Sequence, residues 1–97
     1  MKKKFLLTDP KKAPERQVDA VKHEIKKYIT RERNKKVTEG VDFWDFDCRF
    51  GDTVEAAISI HVSEINKSID AYATINKESF YIEIISKAGH RTNKAKK

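Results

Sequence analysis

The chain has 97 residues, 38% of them hydrophobic and 37% charged, with a formal net charge of +6. That length suits one domain with a modest core, built largely on its five Phe, three Tyr and one Trp. A lone cysteine excludes an internal disulfide, and no run approaches the ~18 apolar residues of a membrane span.

The charge is segregated. Residues 1–39 carry a net +7, residues 40–88 a net −5 and residues 89–97 a net +4. Basic ends around an acidic middle point to a polyanionic partner, with nucleic acid first among the candidates.

The opening Met1-Lys-Lys-Lys-Phe5-Leu-Leu-Thr8 has the basic flank of a signal peptide, but its apolar run falls short of the roughly seven residues such a segment needs. The chain therefore reads as soluble and cytoplasmic. It reads as a single domain over 1–97, with 1–4 and 90–97 as flexible basic ends. Lys4 to Thr8 predicts a short strand with Phe5 and Leu7 on one face. Residues 9–13 form a linker, and Pro14 suits the first position of a helix. Val18, Val21, Ile25, Tyr28 and Ile29 then recur at helical spacing, giving one apolar stripe to about residue 36, with Gly40 as a stop beyond it.

Phe43 to Phe50 alternates. Trp44, Phe46, Cys48 and Phe50 point one way and Asp45, Asp47 and Arg49 the other, which describes a half-buried strand. Gly51-Asp52 is a turn signal. Residues 57–62 alternate again, with Ile58, Ile60 and Val62 inward and Ser59 and His61 outward, while Val54 to Ala57 is open to a helical turn. Ser63 is a suitable N-cap for a second helix with Ile65, Ile69 and Tyr72 as its stripe, ended by Asn76-Lys77. Ser79 to Ile85 is a last strand with Phe80, Ile82 and Ile84 inward, broken by Ala88-Gly89. Trp44, Phe46, Phe50, Ile65 and Ile82 are assigned to the core. The order (β)αββαβ predicts an α+β two-layer sandwich, with two helices on one face of a small three- to four-stranded sheet.

The runs Val18–Ile25, Gly40-Val-Asp-Phe-Trp-Asp-Phe-Asp-Cys-Arg-Phe-Gly51, His61–Lys67 and Lys87–Arg91 carry a resemblance over nearly the whole chain. The chain resembles a family of small uncharacterised bacterial proteins, a domain of unknown function whose most distinctive part is the Gly40–Gly51 run. The resemblance implies a bacterial, freestanding small domain and assigns no activity, cofactor or site residue.

Three constellations can carry chemistry. Lys22, Lys26 and Arg33 fall on one flank of the first helix's apolar stripe, with Arg16, His23, Lys27 and Arg31 opposite it. Lysines and arginines on a rigid helix can contact successive phosphates of RNA or DNA. The same cations also suit ordinary intrahelical pairs, since Glu24 precedes Lys27 and Glu32 precedes Lys35 and Lys36. Second, Asp45, Asp47 and Glu83 on the outer sheet face, with His61 beside them, have the oxygen chemistry of a Mg²⁺ or Mn²⁺ site, with Arg49 as a simpler ion-pair partner. Third, Gly89-His90-Arg91-Thr92 after the last strand offers an anion cradle through Arg91. Cys48 points inward as an inert small hydrophobe, and no histidine has a nearby Ser or Cys in a recognisable catalytic arrangement. Zinc-finger, P-loop and KH signatures are missing from the sequence, so nothing supports sequence-specific readout.

The function expected is non-sequence-specific association with RNA or DNA through Lys22, Lys26, Lys27, Arg31 and Arg33, helped by the termini and Arg91. A module docking an acidic protein is the alternative, and a metal-dependent enzyme on nucleic acid using Asp45, Asp47 and Glu83 is the second alternative. No cofactor and no membrane enter the reading.

Overall fold

The computed structural model describes residues 1–37 and 39–89. Its elements run β1 (Lys2–Leu6), α1 (Pro14–Arg33), β2 (Phe43–Gly51), β3 (Ile58–Ile60), a single 3-10 turn at Val62–Glu64, α2 (Ile65–Thr74) and β4 (Ser79–Gly89). The four strands form one antiparallel sheet in the order β1-β4-β2-β3. This is the expected α+β fold with the expected element order.

Alternation sets which face of the sheet is buried. Phe5 of β1, Phe46, Cys48 and Phe50 of β2, and Phe80, Ile82 and Ile84 of β4 share one core with Val21 and Ile25 of α1 and Ile65 and Ile69 of α2. Both helices therefore cover the same face. Phe80, Ile82, Ile84 and Ile69 are 0% exposed. Phe80 lies at the centre, with its ring stacked on Phe5 at 5.5 Å and on Phe50 at 4.7 Å between centroids. Leu7, just past β1, is buried beside Phe5 as the alternation required.

Several boundaries differ from expectation, each for a local reason. β1 begins at Lys2 rather than Lys4, because Lys2 and Lys3 pair with Glu83 and Ile82 of the long β4. The expected loose end at 1–4 is thus an edge strand from Lys2 onward. α1 stops at Arg33, not near residue 36, where the Asn34 N–H turns back to the Thr30 carbonyl and the Lys35 N–H to that of Glu32. β4 continues through Ala88-Gly89 because Phe43–Phe46 supply ladder partners for Ser86–Gly89.

Residues 52–56 form turns, and the third strand keeps only Ile58–Ile60. Gly51 is required at its corner, since a Cβ there would lie 2.7 Å from the Ala57 Cα. Ile58 shares the face of Phe50 opposite it, yet at the sheet edge it is 67% exposed instead of inward. Val62 leaves the strand for the 3-10 turn, and Ser63 does not cap α2. His61 opens the turn instead, its Nδ1 accepting the Ser63 N–H at 3.1 Å. Trp44 is half-buried at the rim, its indole N–H donating to the Lys35 carbonyl at 3.1 Å. α2 ends as read, with Asn76 at φ 59 and Lys77 N–H reaching the Tyr72 carbonyl at 3.0 Å, a Schellman closure.

One buried charge shapes α1. Glu32 falls on the apolar stripe and is 6% exposed, its Oε1 meeting Lys35 Nζ at 2.7 Å and accepting from Ser86 Oγ at 3.2 Å. The Lys35 hydrogen bond, chiefly, holds its carboxyl below the usual 4.5, against the opposing effect of burial. A carboxyl whose folded value lies below its unfolded one contributes stability fully above about 4.5 and loses it as pH falls through the folded value. Urea midpoints measured from about pH 5 down to about pH 3 are therefore expected to fall less in Glu32→Gln than in the wild type. Parallel curves would remove Glu32 from the acid response.

Candidate nucleic-acid interface

The apolar stripe fixes how α1 presents its cations. With Val21 and Ile25 buried, one flank of the helix faces α2 and the other faces β1. On the α2 flank, Lys22 donates to Asp70 Oδ1 at 2.5 Å and ties the two helices together. Lys22 is thus engaged in a helix–helix contact. On the β1 flank, Lys3 Nζ reaches Glu24 Oε2 at 2.7 Å. Glu24 pairs across elements and not with Lys27, whereas Glu32 does pair with Lys35.

Six ion pairs are present among the described residues, and they engage Lys3, Lys22, Lys35, Arg49, Lys77 and Lys87. Lys26, Lys27, Arg31 and Arg33 are exposed and make none of them. Two of these four rest on aromatic rings. The Arg31 guanidinium sits 5.5 Å from the Tyr28 centroid, and that of Arg33 sits 5.5 Å from Phe46. Such contacts hold a guanidinium in place without neutralising it. The result is a patch of four exposed positive charges, none in an ion pair, on the C-terminal half of one helix.

Two grooves border the patch. One of about 490 Å³ runs between α1 and the chain entering α2; its polar lining is Lys26, Thr30, Arg33, His61, Ser63 and Asn66, with no carboxylate. The other, of about 450 Å³, lies toward the start of the chain and includes His23, Lys27 and Arg31 together with Glu24, which Lys3 engages. α1 therefore offers cations to both sides of its exposed ridge.

The outer sheet face is arranged differently. Arg49 pairs with Glu83 at 3.7 Å and also donates to the Ala57 carbonyl at 2.7 Å, and Tyr81 donates to Glu83 at 2.8 Å. Asp47 binds Lys87 at 2.7 Å, and Asp45 accepts the Phe46 N–H at 2.8 Å. Asp45, Asp47 and Glu83 are thus each engaged separately. No group of three or more His, Cys, Asp or Glu side chains is placed to hold a metal ion among the described residues. The simpler role for Arg49 as a cross-strand partner is the one observed. β1 adds Lys2 and Lys4 to this face, opposite Glu83 and Tyr81, so it is less acidic than β2 alone suggests. The alternation of Lys2, Lys4 and Leu6 against Phe5 and Leu7 was the available signal for that.

Gly89 lies in β4, while His90, Arg91 and Thr92 lie outside the described residues. No helix among the described residues is long and apolar enough to cross a membrane. Cys48 is buried, and burial, aided by the charges of Asp47 and Asp45, pushes its thiol up to about 11. Ellman's reagent at neutral pH is expected to label it only after denaturation, and rapid labelling of the folded chain would contradict that burial.

Neither the curated proteins nor the solved structures contain a match to the chain. The model of a family of unknown function (DUF6172) matches residues 1–95, and the chain belongs to that family.

Proposed function

We propose that this protein is a small binding domain of the bacterial cytoplasm that associates with RNA or DNA without sequence specificity, through the exposed cations of α1. The observation carrying the reading is the clustering of cations outside ion pairs. Lys26, Lys27, Arg31 and Arg33 make none of the six ion pairs and lie together on the exposed C-terminal half of one helix. Surface charges lying together unpaired repel one another, and a polyanion relieves that repulsion while releasing counterions. Lys22 drops out of the set because Asp70 holds it. Arg91 and the cations after it add non-directional attraction.

The enzyme alternative lacks a comparable feature, since its three carboxylates are held apart by separate partners. The acidic-protein alternative uses the same cations and is separated by salt. Labelled single- and double-stranded RNA and DNA, titrated between about 0.05 and 0.2 M salt, are expected to bind with a log–log slope of about −3 to −4, corresponding to four phosphate contacts. Absence of binding at the lowest salt, for all four nucleic acids, would overturn the reading.

A further inference from the structure

We propose that the groove between α1 and the start of α2 seats one phosphate group of a nucleic-acid strand, held by Arg33 and Lys26 on one wall and His61 on the other. The ligand's class rests on the nucleic-acid reading above; the existence of the seat does not. Lys26 and Arg33 are seven residues apart, two helical turns, so both project along the same flank of α1. Both line the groove, and Ile25 and Ile29 lie between them as an apolar floor.

The chemistry is one-sided. No carboxylate lines the groove: Asp70 is engaged by Lys22, and Glu64, Asp45 and Asp47 line a neighbouring groove that shares only His61 with this one. An anion entering meets the charges of Lys26 and Arg33 before it reaches the His61 boundary. The planar fork of Arg33 suits two phosphate oxygens at once, and Lys26 adds a point charge.

The opposite wall supplies polar groups. Nδ1 of His61 is engaged by Ser63, accepting its N–H at 3.1 Å and lying 2.8 Å from its hydroxyl, while Nε2 makes no hydrogen bond among the described residues. Thr30 and Asn66 add a hydroxyl and an amide, and the ten-residue α2 directs its positive dipole end at the same wall. At about 490 Å³ the groove also admits the sugar that carries the phosphate, against Ile29 and Val62.

An internal diester and a terminal monoester share this chemistry, and the test separates them. ¹H–¹⁵N spectra of the full chain would be recorded against inorganic phosphate at ionic strength held constant with chloride. Two versions of one short single-stranded oligonucleotide, ending in 5′-phosphate or 5′-hydroxyl, would follow. Saturable shifts at Thr30, His61, Ser63 and Asn66 are expected. Arg33→Gln should weaken phosphate binding about tenfold, while Lys12→Gln, an exposed cation off α1 and outside the groove, should change it less than about twofold. Both side chains are exposed, so both variants keep the fold. Preference for the 5′-phosphate assigns the seat to a strand end, and equal affinity assigns it to the internal backbone. Shifts that do not saturate, or that ignore Arg33→Gln, overturn the seat. Oligonucleotide binding that leaves the groove residues unmoved also overturns it, with the nucleic-acid reading intact. Phosphate binding in the groove with neither oligonucleotide bound overturns the nucleic-acid ligand and leaves a site for a small phosphorylated compound.

Discussion

Phe80→Ala is expected to destabilise the fold by about 3–5 kcal/mol, a large share of the roughly 5–15 kcal/mol that holds a domain of this kind together. Phe80 is 0% exposed and its ring touches both Phe5 and Phe50, so one truncation opens a void shared by β1, β4 and β2. Phe50 in turn meets Tyr72 of α2 edge-on at 4.8 Å, so the loss reaches the helix layer. The sheet cannot easily close around such a void, because its centre is pinned by antiparallel ladders on both sides of β4. Tyr81→Ala is the matched control, since that side chain points from the same strand to the opposite face. Its cost should be set mainly by one hydrogen bond to Glu83 and be far smaller. Urea denaturation of the two variants checks this, and comparable midpoints would contradict a core centred on Phe80.

The other large effect is on binding. Replacing Lys26, Lys27, Arg31 and Arg33 together by Gln is expected to weaken nucleic-acid affinity roughly 100-fold near 0.1 M salt. The slope of log affinity against log salt should flatten by about 3–4, because each lost phosphate contact removes about 0.9 from it. None of the four side chains is buried or ion-paired among the described residues, and the variant loses only the two exposed ring contacts of Arg31 and Arg33, so the thermal midpoint should fall only modestly. Glu32 keeps its main partner, Lys35, in the variant and loses only the weaker influence of Arg31. Loss of affinity together with loss of folding would assign these cations a structural role instead.

Much of the fold was legible because its elements are amphipathic with clean periods. The alternations 46–50 and 80–84 and the stripes of Val21 with Ile25 and Ile65 with Ile69 each name a buried face that the structure keeps, with Trp44 left half-buried at the rim. What escaped depends on partners distant in sequence. The extension of β4 through Lys87-Ala88-Gly89 has no apolar signal of its own and exists because β2 is long enough to pair with it. The entry of Lys2 and Lys3 into a strand has the same origin. Ile58 has the right face but sits on the sheet edge, and edge position is a property of strand order.

For the candidate interface, helical spacing placed Lys22, Lys26 and Arg33 on one flank. It could not show that Asp70, on another helix, holds the first and leaves the other two open. His61 had a visible cue in the His-x-Ser pattern ahead of a helical stripe, which marks a side chain able to bond the backbone two residues on. The burial of Glu32 was readable from its place on the stripe, but its partner Ser86 comes from β4.

The most direct test of the central claim compares two variants of equal net charge. One carries Lys26, Lys27, Arg31 and Arg33 as Gln, and the other carries Lys2, Lys4, Lys11 and Lys12 as Gln, all four of which are exposed and lie off α1. Affinity for one single-stranded RNA and one duplex DNA would be measured across the same salt series. A flattened slope in the α1 variant alone, with the other near wild type, is the predicted result. Equal losses in both would mean that net charge, and not the α1 surface, attracts the nucleic acid.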